Sequence, residues 1–113
     1  MTLSDRQEVF AKNVAALITY IFGMGYKCTL GEVYRTPEQA ALYAKMGKGI
    51  EDSLHCKRLA IDINLFNDQN VYLQDSKDYE RIGIFWEKLH PDNRWGGRWK
   101  TRPDGNHMEM RDR

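Results

Sequence analysis

Along the first part of the chain, Val9, Phe10, Val14, Leu17, Ile18 and Ile21 recur at helical spacing. Ser4 followed by Gln7 predicts a capping box at the start of this helix, and Gly23 or Gly25 its end. Such a stripe could lie on a membrane surface, but packing against a sheet is the simpler expectation. "YKCTLGEVYR" is rich in β-branched and aromatic residues and predicts a strand. "TPEQAALYAKMG" then predicts a helix, with Thr36 as N-cap and Pro37 at the first helical position. Ala40, Leu42, Tyr43 and Met46 form its apolar face, and Gly47 and Gly49 open a loop through Asp52.

The second half continues in the same alternation. "RLAIDINLF" reads as a strand with "NVYLQ" as its hairpin partner. "SKDYERIGIFWEKLH" reads as an amphipathic helix with Tyr79, Ile82, Ile84, Phe85 and Leu89 facing the core, stopped by Pro91. "DNRWGGRWKTRPDGN" reads as a loop and "HMEM" as a short last strand. Helices and strands in this order predict an α+β fold: a single domain over 1–113, with a small antiparallel sheet packed against about three helices.

Composition narrows the function classes. At 113 residues the chain has room for one domain and one modest core. Its 17 basic and 16 acidic residues leave a formal charge of +1, which gives no electrostatic reason to expect nucleic acid. Arg94, Arg98, Lys100 and Arg102 gather late in the chain and read as a solvated loop, with a local anionic partner as the alternative. Cys28 and Cys56 form no CxxC unit, and free thiols in a reducing compartment are expected. The N-terminal apolar stretch is too short and too interrupted by charge to span a bilayer or serve as a signal peptide. The expectation is synthesis in the cytoplasm, with release or delivery by another agent if the protein works elsewhere, and a monomeric state.

Asp62 raises the chemical question. It stands among Leu59, Ala60, Ile61 and Ile63, where a carboxylate is costly unless it is paired. His55 lies seven residues before it, and His107 opens the last strand with Asp104 three residues earlier. Two histidines and one carboxylate are a common three-ligand set for catalytic zinc, with the fourth position left to water. A further carboxylate would serve as proton shuttle. The residues alone leave open a second reading, in which His55 is a loop residue and Asp62 a hydrogen-bonded buried one. His90, at a helix C-terminus, reads as structural or surface.

The wording around these residues favours the metal. "SLHCKRLAID" resembles the S-x-H-x-x-G-x-A-x-D motif of zinc peptidases that cut peptidoglycan stem peptides, through Ser53, His55, Ala60 and Asp62. That family includes D-alanyl-D-alanine carboxypeptidases and dipeptidases and L-alanyl-D-glutamate endopeptidases, and its fold is related to the hedgehog signalling domain. "WGGRWKTRPDGNHMEM" resembles the family's second block, W-G-G-x-W followed by D-x-x-H, through Trp95, Gly96, Gly97, Trp99, Asp104 and His107. "EVYRTPEQAALYA" resembles its arginine-bearing segment.

The resemblance implies roles residue by residue. His55, Asp62 and His107 become zinc ligands, and Asp104 the general base and acid. Arg35 becomes the arginine that binds substrate carboxylate or stabilises the oxyanion. Ser53, Trp95 and Trp99 become candidates for substrate binding, with turn capping and core packing as the alternatives. Glu109 follows His107 by two and in a strand would share its face, so it rivals Asp104 for the base role. Arg58 stands where the family has glycine; if that position needs positive φ, arginine costs stability there. The implied function is zinc-dependent hydrolysis of an amide bond in the peptidoglycan stem peptide by a phage or prophage cell-wall lytic enzyme. Asp104 in D-x-x-H favours the L-alanyl-D-glutamate endopeptidase branch. A D,D-carboxypeptidase and a non-catalytic zinc module that binds wall peptide are the alternatives.

Overall fold

The first helix is capped two residues earlier than predicted, at Thr2 rather than Ser4. In the computed structural model, which describes residues 1–50 and 52–113, α1 runs Leu3–Gly23. Thr2 and Asp5 form the capping box: the Asp5 N–H donates to Thr2 Oγ1 at 3.1 Å and the Thr2 N–H to Asp5 Oδ2 at 2.9 Å. Ser4 and Gln7 therefore lie inside the helix, because an acidic residue at the third helical position answers Thr2 better than Gln7 answers Ser4. The helix ends as expected, with Met24 at its C-cap and Gly25 at φ +84°. Phe10, Leu17 and Ile21 are buried and join the core, and Val9 and Val14 pack against it.

Four strands follow: β1 (Lys27–Leu30), β2 (Ala60–Phe66), β3 (Asn93–Trp95) and β4 (His107–Met110). They form one antiparallel sheet in the order β1-β2-β4-β3. Between them lie α2 (Pro37–Lys45) and α3 (Glu80–Leu89), the latter entered through a 3₁₀ turn over Ser76–Tyr79. Thr36 caps α2 and Pro37 opens it, as the sequence predicts. In β2, Ile61, Ile63 and Leu65 face the core, where Leu59, Tyr79, Ile82, Trp86, Met108 and Met110 meet them.

Several expectations are corrected. "YKCTLGEVYR" is a strand only over Lys27–Leu30 and then runs irregularly. "NVYLQ" is no hairpin strand; it touches β2 through one bridge, Phe66 to Tyr72. β4 pairs only with Ala60–Asp62, and beyond it the Leu73 N–H donates to the Leu65 carbonyl at 2.9 Å, but the Leu65 N–H goes to the Tyr79 hydroxyl at 3.0 Å, so the ladder does not extend. "DNRW" contains β3, a strand hidden in a segment with almost no apolar alternation. Of the apolar face expected on α2, only Ala40 is buried, while Leu42 and Met46 are exposed. The loop expected from Gly47 through Asp52 contains Glu51, which lies outside the described residues.

Arg58 bears on stability directly. It caps the 3₁₀ turn Leu54–Lys57 with φ 55° and ψ 39°, the left-handed conformation that favours glycine. Its guanidinium sits over the Tyr34 ring, 4.1 Å from the centroid. A left-handed non-glycine residue costs roughly 1–2 kcal/mol, and an exposed cation–π contact returns roughly 0.5–1 kcal/mol. Arg58→Gly is therefore expected to raise unfolding stability by about 0.5–1 kcal/mol in urea titration. A lower midpoint would mean that the Tyr34 stack outweighs the backbone strain.

Candidate metal centre and catalytic cleft

Strand alternation answers the question posed by Asp62. Ile61 and Ile63 point into the core, so Asp62 between them points to the opposite face and is only half-buried. That face forms the floor of a cleft of about 1200 Å³, whose lining includes Arg35, Ser53, His55, Asp62, Asp104 and His107.

Two local devices bring the histidines to Asp62. The register of β2 against β4 places His107 directly opposite Asp62. His55 arrives from the 3₁₀ turn before β2, which Ser53 caps by accepting from the His55 N–H at 3.2 Å. The left-handed Arg58 then turns the chain into the strand. Gly31 closes in from the far side: its N–H donates to the Asp62 carbonyl at 2.7 Å, and a Cβ there would stand 3.0 Å from Asp62 Cβ.

The resulting geometry converges on one carboxylate oxygen. Asp62 Oδ1 lies 3.5 Å from His55 Nε2 and 3.2 Å from His107 Nδ1. One ligand atom from each of the three residues falls within 4.8 Å of the others. Ligands of a tetrahedral zinc, at ~2.0–2.1 Å from the ion, stand ~3.3 Å from one another. Two nitrogens and one oxygen are donor types that zinc takes, and both distances to Asp62 Oδ1 are close to that ligand spacing.

The electrostatics fit the same picture. Burial pushes the Asp62 carboxyl up, but hydrogen bonds from His107 and His55 outweigh it and hold the pKa at about 2. Burial pushes His107 down, but its bonds to Asp62 and Glu109 outweigh that and raise it to about 9. Asp104 is different. Desolvation by the cleft raises its pKa above the ordinary carboxylate value, with His107 opposing and Asp62 reinforcing the shift. A carboxylate moved towards neutrality suits general base work.

The loop carrying Asp104 is firmly pinned. Its N–H donates to the Gly96 carbonyl at 3.0 Å, and its carbonyl accepts from the His107 N–H at 3.1 Å. A side chain at Gly96 would collide with that same Asp104 carbonyl, which is the physical reason for the first glycine of W-G-G.

Of the remaining predicted residues, Arg35 lines the cleft with its side chain bound to Glu32, Nε to Oε1, at 2.7 Å. Trp99 also lines it, half-exposed, with its ring centroid 5.0 Å from that of His107. Ser53 lines it while capping the His55 turn. Trp95, a candidate for the groove with core packing as the alternative, is a core residue, 5 % exposed, and does not line the cleft. It is wedged against Gly83 and Gly97, with its Nε1–H donating to the Gly105 carbonyl at 2.7 Å. The alternation of β3 turns this indole inward. Arg58 does not line the cleft.

Two residues given no site role by the sequence stand close to the ligand cluster. Glu32 Oε1 is 3.6 Å from His55 Nδ1, and Arg94 pairs with Glu109 at 2.5 Å. Glu32 had a faint signal in its three-residue spacing from Arg35. Arg94 reads from the sequence only as part of a basic loop with a local anionic partner as the alternative, and its partner Glu109 follows from β3 lying opposite β4.

Comparison with known proteins agrees with this geometry. A family model described as D-alanyl-D-alanine carboxypeptidase matches residues 47–110. Among solved structures, the chain is similar to the crystal structure of Serratia marcescens L-Ala D-Glu endopeptidase ChiX. The TM-score is 0.75 at 19% identity, covering 90% of this chain and 77% of that one. No curated protein matches. The match spans more than half of the chain, including the His55 turn, Asp62, Asp104 and His107, and on that ground the protein belongs to the D-alanyl-D-alanine carboxypeptidase family of zinc peptidases that act on peptidoglycan.

Proposed function

We propose that the protein is a zinc-dependent endopeptidase that hydrolyses the L-alanyl–D-glutamate bond of the peptidoglycan stem peptide, with His55, Asp62 and His107 holding the metal. The observation that carries the reading is the convergence of His55 Nε2 and His107 Nδ1 on Asp62 Oδ1 at the floor of a cleft also lined by Asp104. Zinc, when bound, supplies Lewis-acid chemistry at the scissile carbonyl and makes water a better nucleophile at neutral pH.

The chain's own groups do the rest. Asp104, with its raised pKa, takes the proton of the attacking water and returns it to the leaving amine. Arg35, steadied by Glu32, supplies a fixed cation for a substrate carboxylate or the developing oxyanion. Ser53 holds the His55 turn, and Trp99 offers an apolar wall beside His107. No helix among the described residues is long and apolar enough to cross a membrane. A monomeric lytic enzyme of phage or prophage origin, acting on the wall after release or delivery, is consistent with this activity.

Aspartate rather than glutamate in D-x-x-H favours the endopeptidase over a D,D-carboxypeptidase, the activity in the family model's description. Mass analysis of purified peptidoglycan after digestion separates them. New L-alanine C-termini with free D-glutamyl N-termini are expected. Release of D-alanine alone would replace this reading with the carboxypeptidase.

A further inference from the structure

His107 uses both ring nitrogens. Nδ1 faces Asp62 Oδ1 at 3.2 Å, while Nε2 lies 2.7 Å from Glu109 Oε1. His107 and Glu109 are two residues apart on β4, so strand alternation puts both on the cleft side while Met108 and Met110 enter the core. Glu109 is 7 % exposed. Its other oxygen is held by Arg94, which lies directly opposite it on β3 and pairs with it at 2.5 Å. Both carboxylate oxygens are thus engaged, and neither is left free to take a proton from a substrate water.

A nearly buried carboxylate on the cleft wall with both oxygens already engaged still needs a physical account, because burying it costs free energy. A histidine that binds metal through one nitrogen carries a proton on the other. A carboxylate bonded to that N–H fixes the tautomer and the ring plane and makes the ligand more basic.

We propose that Glu109, clamped by Arg94, is the positioning residue that holds His107 in the Nε2–H tautomer with Nδ1 aimed at the metal. The assignment rests on the zinc reading and goes beyond it by giving Glu109 and Arg94 distinct tasks. The two histidines are also held unequally. Glu32 stands 3.6 Å from His55 Nδ1, beyond hydrogen-bond reach, and that nitrogen has no protein partner among the described residues. His107 is therefore the ligand with the fixed orientation.

The experiment measures metal directly. Zinc affinity is determined by competition with a chromophoric chelator, and the cobalt(II)-loaded protein gives a visible spectrum that reports ligand geometry. Glu109→Ala should bind zinc ~10–100-fold more weakly than wild type and shift the cobalt bands. Glu109→Gln keeps an acceptor oxygen for the Nε2–H and should recover most of that loss. A merely structural glutamate would lower the unfolding midpoint and leave the cobalt spectrum of the folded protein unchanged.

The second measurement needs no variant and so stands even if Glu109→Ala does not fold. Nitrogen-15 spectra of the zinc-loaded wild type should show His107 protonated at Nε2. A proton on Nδ1 instead, or wild-type zinc affinity with an unshifted cobalt spectrum in Glu109→Ala, overturns the proposal while leaving the zinc reading intact. A wild type that takes up no zinc at all overturns both.

Discussion

Asp104→Asn should hydrolyse peptidoglycan at least ~10²-fold more slowly than wild type while binding zinc and folding as wild type does. The substitution keeps the shape and one acceptor oxygen but cannot take a proton. The backbone bonds that pin this loop, Asp104 N–H to Gly96 and His107 N–H to Asp104, are untouched by it. So is the contact between Gly105 N–H and Ser76 Oγ at 3.0 Å. Only the proton-accepting oxygen of a carboxylate raised by the cleft is removed. Glu109→Gln separates the two acidic candidates, because both Glu109 oxygens are already engaged by His107 and Arg94. It should cost far less activity than Asp104→Asn. Near-wild-type turnover in Asp104→Asn with a dead Glu109→Gln would exchange their roles. A zinc-loaded wild type that cuts no wall peptide would leave a binding module in place of the proposed endopeptidase.

His55→Ala and His107→Ala should each lose stoichiometric zinc and, with it, all measurable hydrolysis. Elemental analysis of the purified proteins is the first check, and chelation of wild type should reproduce the loss reversibly. The metal should also stabilise the fold, since it binds only the folded arrangement: at a thousandfold excess over its dissociation constant the gain is about 4 kcal/mol.

The pH dependence has a defined sign. In the metal-free protein His107 titrates at about 9, above its ordinary 6.5. Its bonds to Asp62 and Glu109 therefore stabilise the apo fold fully below pH 6.5, and that contribution fades as pH rises through about 9. Asp62 has the opposite sense: its contribution is present above pH 3.8 and is lost as pH falls through about 2. A ligand must be deprotonated to bind, so zinc uptake displaces the His107 proton, and affinity should climb with pH up to about 9. Flat affinity between pH 6.5 and 9 would remove His107 from the ligand set.

The apolar stripe of α1, the Thr36–Pro37 start of α2, the β2 run and the spacing of His55, Asp62, Asp104 and His107 are local patterns, legible from neighbours alone. The helical and strand patterns set the α+β class, because those periods depend on nearest-neighbour geometry, whereas the metal ligands are implied by the resemblance of the two motif blocks to the zinc peptidases. What the sequence left undecided depends on pairings between distant segments. β3 has three residues and little alternation, so its existence follows from lying beside β4. Once it does, Trp95 turns into the core and Arg94 reaches Glu109. The hairpin expected from "NVYLQ" stops at one bridge for a related reason, since the Tyr79 hydroxyl, from a distant turn, takes the Leu65 N–H that a hairpin partner would need. Glu32 comes to 3.6 Å from His55 Nδ1 because Gly31 lets the chain close on Asp62. The residue types suited to hold a metal are present in the sequence, and the motif resemblance implies their role. The partners that orient those residues come from strand register, a non-local choice made by burial of the opposite sheet face.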